Sequence, residues 1–369
     1  MDFDIRVANP IIDDKDIESV VKALKEKRLS SGKYAEIFEK KFAEFIGVKH
    51  AVSMNSASSA LLVMLEAKKI GKGDEVITTP YTYAATANVI MLQGAKPVFV
   101  DIENESYNID PTKIEEKITR KTKAIMPIHF GGQSAEMESI RKIAQDVGLL
   151  IFEDAAPAAG ATYQNEKIGG IGDAGAFSFF PDKNMTTGEG GMLTTNSDEI
   201  AEKASILKKN GAKERYHHIA IGWNFKMPDL NAALGISQLE KLPFAIKEKN
   251  RLAENYTKMI SEEIDGIVTP KTKQGCLHTF NLYSVRFANQ EIRDKVKKHL
   301  EENRIETRIC FPPVHTQPIF RELLKTNKGD FPVAEKSAET TLCLPMYSDL
   351  TVENQRKIIS HIKEAIEMD

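Results

Sequence analysis

The sequence predicts an α/β protein: a large domain on a mostly parallel sheet, then a small α+β domain. Three observations predict it. From about residue 51 to 195, strand-like runs alternate with single helical ones. The strands, KAIMPIHF and LLIFEDA among them, are apolar on both faces, as strands covered by helices on each side must be. After about Pro228 the pattern changes to one long helical stretch and then to shorter mixed elements. A chain of 369 residues accommodates one large core and a smaller one. The expected division is 1–240, including an N-terminal helical segment, and 241–369.

Taken in order, Tyr34, Ile37, Phe38, Phe42, Phe45 and Ile46 recur at helical spacing, which predicts an amphipathic helix over 34–46. The strand Ala51-Val52-Ser53-Met54 follows, then the small-residue turn Asn55-Ser56-Ala57-Ser58-Ser59 and the apolar helix ALLVMLEAKKIG. EVITT precedes a helix at TANVIMLQ, and KPVFVDI precedes a helix capped by Asp110 with Pro111 in its first turn. KAIMPIHF precedes the helix MESIRKIAQDVG, and LLIFEDA ends in the acidic pair Glu153-Asp154. GAFSFFPDKNMTTGEGGM is strand, turn and strand again. From Pro228 to Ile260 the spacing is helical, interrupted at Leu242-Pro243. A strand at 282–287, a helix to about Asn303, a strand near Thr307-Arg308-Ile309 and two further helices complete the chain.

Apolar residues make up 41% and charged residues 28%, with a formal net charge of -3. This is globular composition with no long basic run, so nucleic acid is not an expected partner. No basic start followed by an apolar stretch and no apolar run of about 18 residues occurs, so a cytoplasmic protein without a membrane segment is expected. Cys276, Cys310 and Cys343 fit neither a disulfide framework nor a zinc site, so no metal is expected and small buried residues are the reading.

The chemistry concentrates at strand ends, where open α/β sheets bind their ligands. Lys183 stands in a tight loop between two apolar strands; such a loop holds an amine and partly desolvates it. A neutral amine is the species that condenses with an aldehyde. Asn55–Ser59 passes from strand into helix, offering N–H groups and hydroxyls to a phosphate, although small residues at such turns also serve purely steric ends. Asp154 ends a buried strand and must be paired; a pyridinium N–H would pair with it, and so would a helix cap or an ion pair. Tyr83 could cover a flat ring or pack in the core. A lysine, a carboxylate, a phosphate turn and an aromatic lid on one parallel sheet are the parts of a pyridoxal-phosphate site.

Over almost its whole length the sequence resembles the DegT/StrS-type sugar-nucleotide aminotransferases. The matching runs include SGKYAEIFEKKF, GDEVITTPYTYAATAN, FEDAAPAAGATY, GDAGAFSFFPDKNMTTGEGGM, IGWNFKMPDLNAALG and GDFPVAEKSAE. The resemblance implies the aspartate-aminotransferase-like fold, a homodimer, and Lys183 as the residue that carries pyridoxal 5'-phosphate. It implies Asp154 at the pyridine nitrogen, Tyr83 stacked on the ring, and Ala57, Ser58 and Ser178 at the phosphate. Asn224 would reach that phosphate from the neighbouring subunit. IETRICFPPVHTQP is similar to the corresponding stretch of members that aminate carbon 4 of a keto sugar, such as the perosamine synthases, which makes Arg308 and His315 candidate substrate contacts. The implied reaction moves an amino group from an amino acid, L-glutamate by resemblance, to a nucleotide-linked keto sugar, in amino-sugar and cell-surface polysaccharide biosynthesis.

Four departures bear on this. Ala57-Ser58 replaces the common glycine-threonine, Pro157 and Ala159 stand where polar residues and histidine are common, Gly131 replaces a frequent tyrosine, and Lys226 replaces an arginine. An amino-acid transaminase using Arg286 or Arg308 against a second carboxylate is the alternative. A non-catalytic regulatory member should have lost Lys183 or Asp154, and both are present. His217 and His218 read as solvated, and His129 as either a ring neighbour or a core residue.

Overall fold

A computed structural model describes residues 3–368. The chain opens with two helices, α1 (Asp14–Lys25) and α2 (Lys33–Ile46). Asp13 caps α1 in a reciprocal capping box with Asp16, and α2 ends at Gly47, whose φ of 87° is the left-handed cap glycine accepts at no cost.

The large sheet has seven strands: β1 (His50–Met54), β2 (Glu75–Thr78), β3 (Lys96–Phe99), β4 (Thr122–Ile125), β5 (Leu150–Asp154), β6 (Ala174–Ser178) and β7 (Gly191–Thr195). Their spatial order is β1-β7-β6-β5-β4-β2-β3. The pairs from β3 across to β6 are parallel, while β7 runs antiparallel to both its neighbours. The mostly parallel sheet predicted from two-faced apolar strands is therefore present, with one strand reversed. Helices α3 (Ala57–Ala67), α4 (Ala85–Leu92), α5 (Met137–Val147) and α6 (Asp198–Leu207) connect or flank these strands.

Alternation along each strand builds two cores. Ile77, Ile125, Ile151, Phe177 and Met192 face one way, against α2, α5 and the start of the long helix α7 (Asp229–Glu263). Val76, Ala124, Phe152, Ala176 and Leu193 face the other way, against α3, α4 and α6. Successive side chains on a strand point to opposite faces, so neighbours in sequence serve different cores.

α7 is one helix of 35 residues with Pro243 inside it, not two segments. Proline forfeits one i→i−4 bond and crowds the preceding turn, but α7 is anchored on both sides of that point. Its side chains up to Ile246 pack in the first core. From Leu252 to Ile260 they pack in a third, with β8 (Tyr283–Arg286), α8 (Gln290–Glu302) and α11 (Val352–Glu367). Between α8 and α11 come α9 (Pro318–Leu324), α10 (Pro332–Thr340) and β9 (Thr341–Leu344), and β9 pairs antiparallel with β8.

Three local readings are corrected. The predicted helix after Asp110 is two 3-10 turns, Pro111–Lys113 and Glu115–Lys117, although Asp110 does cap the first. The predicted strand near Arg308 is a single bridge from Arg308 to Cys343. Cys310 and Cys343 form a disulfide with Cα atoms 6.1 Å apart, and only Cys276 is free. No helix of the described residues is long and apolar enough to cross a membrane.

Candidate active site

Asp154 is the last residue of β5, at the carboxyl end of the sheet. Its Oδ2 accepts from Thr86 Oγ1 at 2.7 Å and its Oδ1 from the Ala156 N–H at 3.2 Å. Burial raises its carboxyl above the ordinary range; Thr86, the Ala156 N–H, His129 and Lys183 oppose this only in part. A buried carboxylate with two donors keeps lone pairs to spare and favours a cationic N–H partner. Glu153, next to it, points to the other face and is fully committed. It accepts from the Gly169, Ile171 and Gly172 N–H groups at 2.7–2.8 Å and from His129 at 3.1 Å. His129 Nδ1 accepts the Ala135 N–H at 3.1 Å, so its proton sits on Nε2, toward Glu153. His129 is thus a satisfied core residue.

Lys183 lies in the loop after β6. That loop is tied across itself: Phe179 N–H donates to Gly190, Thr187 N–H to Phe179, and Lys183 N–H to Phe180, at 2.9–3.0 Å. Asn231 of α7 donates to the Thr187 carbonyl at 2.7 Å. The Lys183 side chain is 21% exposed, with Nζ 2.9 Å from Asp182 Oδ1. Arg308 holds the other oxygen of Asp182 at 2.9 Å. Burial alone would raise the Asp182 carboxyl, but Lys183 and Arg308 hold it below the usual range.

Ser56 caps α3, accepting the Ser59 N–H at 3.1 Å. The N–H groups of Ala57 and Ser58, in the first turn of α3, have no such partner among the described bonds, as expected of the first residues of a helix. Gly191 lets this turn lie against β7, since a Cβ there would come within 2.5 Å of the backbone of Ser56 and Ala57. Ser178 closes β6, partly exposed, and its Oγ accepts the Phe180 N–H at 3.4 Å. Tyr83 is 69% exposed, and its ring stands edge-on to that of Phe311, ring centres 6.3 Å apart. Asn224 is exposed, its backbone bridged to Lys209.

Other candidates are placed elsewhere. His315 is fully buried, with Nε2 2.9 Å from Glu335, so its ring is turned into the protein. Arg286 Nη1 donates to the carbonyl and side-chain oxygens of Asn104, at 2.8 and 2.6 Å. His217 and His218 are exposed, as expected.

Lys249 on α7 is the residue that sequence reasoning missed. It is 5% exposed and donates to Asn184 Oδ1 at 2.7 Å, beside Lys183. Burial pushes its ammonium down to about 8, Asp182 opposing and Lys183 adding to the effect. Both lysines line a cavity of about 120 Å³ between Asn9, Asp182, α7 and Tyr347. Asp154, Ala57 and Ser58 are not part of its lining. Helical spacing alone marks Lys249 as one more charge on a long helix; only a contact 65 residues away in sequence distinguishes it.

The family model of the DegT/DnrJ/EryC1/StrS aminotransferases matches residues 10–363. The chain belongs to this family. Among curated aminotransferases, it is 37% identical to the GDP-perosamine synthase of Caulobacter vibrioides, covering 98% of each chain. It is 33% identical to the UDP-2-acetamido-2-deoxy-3-oxo-D-glucuronate aminotransferase of Pseudomonas aeruginosa, covering 94% of each. The sugar aminotransferase Spr1654 of Streptococcus pneumoniae, described as putative and solved in its PLP form, superposes with a TM-score of 0.92 at 25% identity, over 100% of this chain and 99% of that one. The aspartate-aminotransferase-like fold follows. The donor set fits the cofactor of such aminotransferases: a buried carboxylate with lone pairs to spare, two uncommitted N–H groups at a helix start, and an amine on a pinned loop.

Proposed function

We propose that the protein is a pyridoxal-phosphate aminotransferase that moves an amino group from an amino acid, with L-glutamate the expected donor, to a nucleotide-linked keto sugar. The observation that carries the reading is the placement of Asp154 at the end of β5 and of Lys183 in the loop after its parallel neighbour β6, at the carboxyl end of one sheet. Asp154 is buried, each of its oxygens accepts a single bond, and Lys183 is among the groups that oppose the rise of its carboxyl.

When bound, the cofactor supplies an aldehyde carbon that carries the amino group and a ring that withdraws electrons. Lys183 would hold the cofactor at that carbon, and its amine, when free, would act as base toward the donor Cα and as acid toward the cofactor carbon, so that the proton taken from one is given to the other. Asp154 keeps the ring nitrogen protonated, with Thr86 fixing the carboxylate in place. The Ala57 and Ser58 N–H groups bind the phosphate at the start of α3, and Ser178 adds a hydroxyl. Tyr83 covers one face of the ring. Arg308, held by Asp182 at the mouth of the lysine loop, offers its remaining donors to the substrate.

Each site in this reading is shared in a homodimer, Asn224 of the partner subunit reaching the phosphate. Support comes from its own segment: Tyr216 and Ile221 are 83% and 92% exposed, an apolar surface that a second copy would cover. One of these relatives is named for a 3-oxo sugar, so carbon 4 rests on the resemblance of the Arg308 stretch alone. The test is to convert the enzyme to its pyridoxamine form and add a panel of nucleotide keto sugars. Loss of the near-ultraviolet band with one of them is expected. Silence toward every sugar, with turnover of a 2-oxo acid pair, would replace the keto sugar by an amino-acid acceptor.

A further inference from the structure

Remote from the sheet, α8 and α11 lie side by side and bring two imidazoles and a carboxylate to one point. His299 comes from α8; His361 and Glu364 come from one face of α11, three residues apart. Glu364 Oε2 lies 3.0 Å from His361 Nδ1 and 3.4 Å from His299 Nε2. The three ligand atoms lie within 4.8 Å of one another. The histidine side chains are 15% and 18% exposed and that of Glu364 is 48% exposed, so the cluster is open to solvent on its carboxylate side.

We infer that His299, His361 and Glu364 form a binding site for a divalent transition-metal ion of the zinc class, which joins the C-terminal helix to α8. Two nitrogens and one oxygen suit Zn²⁺ or Co²⁺, with water in the fourth position, and not Mg²⁺ or Ca²⁺, which take oxygen ligands. Bonds of about 2.0–2.2 Å require the ligands to draw together from their present spread, which side-chain rotation supplies.

The surrounding groups orient the set. Ser360 Oγ donates to Glu364 Oε1 at 3.0 Å, leaving Oε2 for the metal. Such an outer contact holds a ligand in its binding orientation. Asn303 Nδ2 donates to the His299 carbonyl at 2.9 Å and lies 3.4 Å from His299 Nε2, a contact that a metal on Nε2 would displace. The arrangement makes no use of the residues assigned to amino transfer and stands or falls independently of them.

The test uses tag-free, cofactor-loaded protein stripped of metal, in a Cys276→Ser background to remove the free thiol. Co²⁺ is titrated while its visible absorption bands are followed, and the melting temperature is recorded against Zn²⁺ concentration. The expected result is one Co²⁺ per chain, displaced by Zn²⁺ and not by Mg²⁺, with a melting temperature that rises with Zn²⁺. His361→Ala and the milder Glu364→Gln should each weaken binding by roughly a hundredfold or more, beyond what losing an outer contact does. No saturable uptake, equal competition by Mg²⁺, or unchanged uptake in both variants would overturn the assignment.

Discussion

Glu153 and Asp154 are adjacent, buried and identical in charge, yet they do opposite work. Glu153 faces the core that holds the 169–172 turn, where three N–H groups and His129 surround it. Asp154 faces the lysine loop with only Thr86 and one N–H. The first carboxylate is saturated by its own chain and builds the fold. The second has bonding capacity left over at a place where a ligand belongs. A buried carboxylate that its own chain bonds only in part is a better pointer to function than one that it saturates.

The largest effect should fall on the ligand side. Lys183→Ala should lower amino transfer by more than ~10⁴-fold, the upper end of what proton transfer by a side chain alone contributes, with little change in melting temperature. Next comes the structural side. Glu153→Ala leaves His129 and three N–H groups unpaired and should cost about 3–5 kcal/mol in denaturant unfolding; a smaller loss would show that the saturated carboxylate is not structural.

Asp154→Asn should spare stability and lower activity by roughly 10²-fold, as loss of one preorganised charge does. It should also change the pH dependence of unfolding. The native carboxyl titrates above its unfolded value, so the native state keeps a proton that the unfolded state releases. Its contribution to stability is therefore greatest at low pH and is lost as pH rises from the ordinary carboxylate value through the raised one. The asparagine variant should lack that slope, and an unaltered profile would argue against the burial cost assigned to Asp154.

Lys249→Met extends the comparison to the lysines. The native ammonium is pushed from 10.5 to about 8, so at neutral pH its burial costs on the order of 3 kcal/mol. The unfolded state binds the extra proton between those values, and the wild type should regain this stability as pH rises from about 8 to 10.5. The methionine variant should show no such gain and should be at least as stable at pH 7, while the Asn184 contact beside Lys183 is lost. A wild type that shows no gain over that range would contradict the assignment.

Much of this was legible in the sequence because it is local. Phe177 and Ala176, or Ile151 and Phe152, alternate between cores as a two-sided strand must, and the lysine loop and acidic strand end carry recognisable residues. The division of labour between Glu153 and Asp154 was not legible, because both read as acidic residues at a strand end and only the partners at 86, 129 and 169–172 separate them. Lys249 and the Cys310–Cys343 pair were hidden for the same reason. Pro243 misled because its local penalty is real but smaller than the packing of α7 on two cores. His315 shows the converse: its motif was recognisable, while the direction of its ring depends on Glu335, 20 residues on.

The two lysines that share one cavity allow the central claim to be tested most directly. Cofactor-loaded protein should be reduced with borohydride, digested and mapped by mass. The account predicts one cofactor adduct per chain, on the peptide and residue of Lys183. An adduct on Lys249, or none on either lysine, would contradict it.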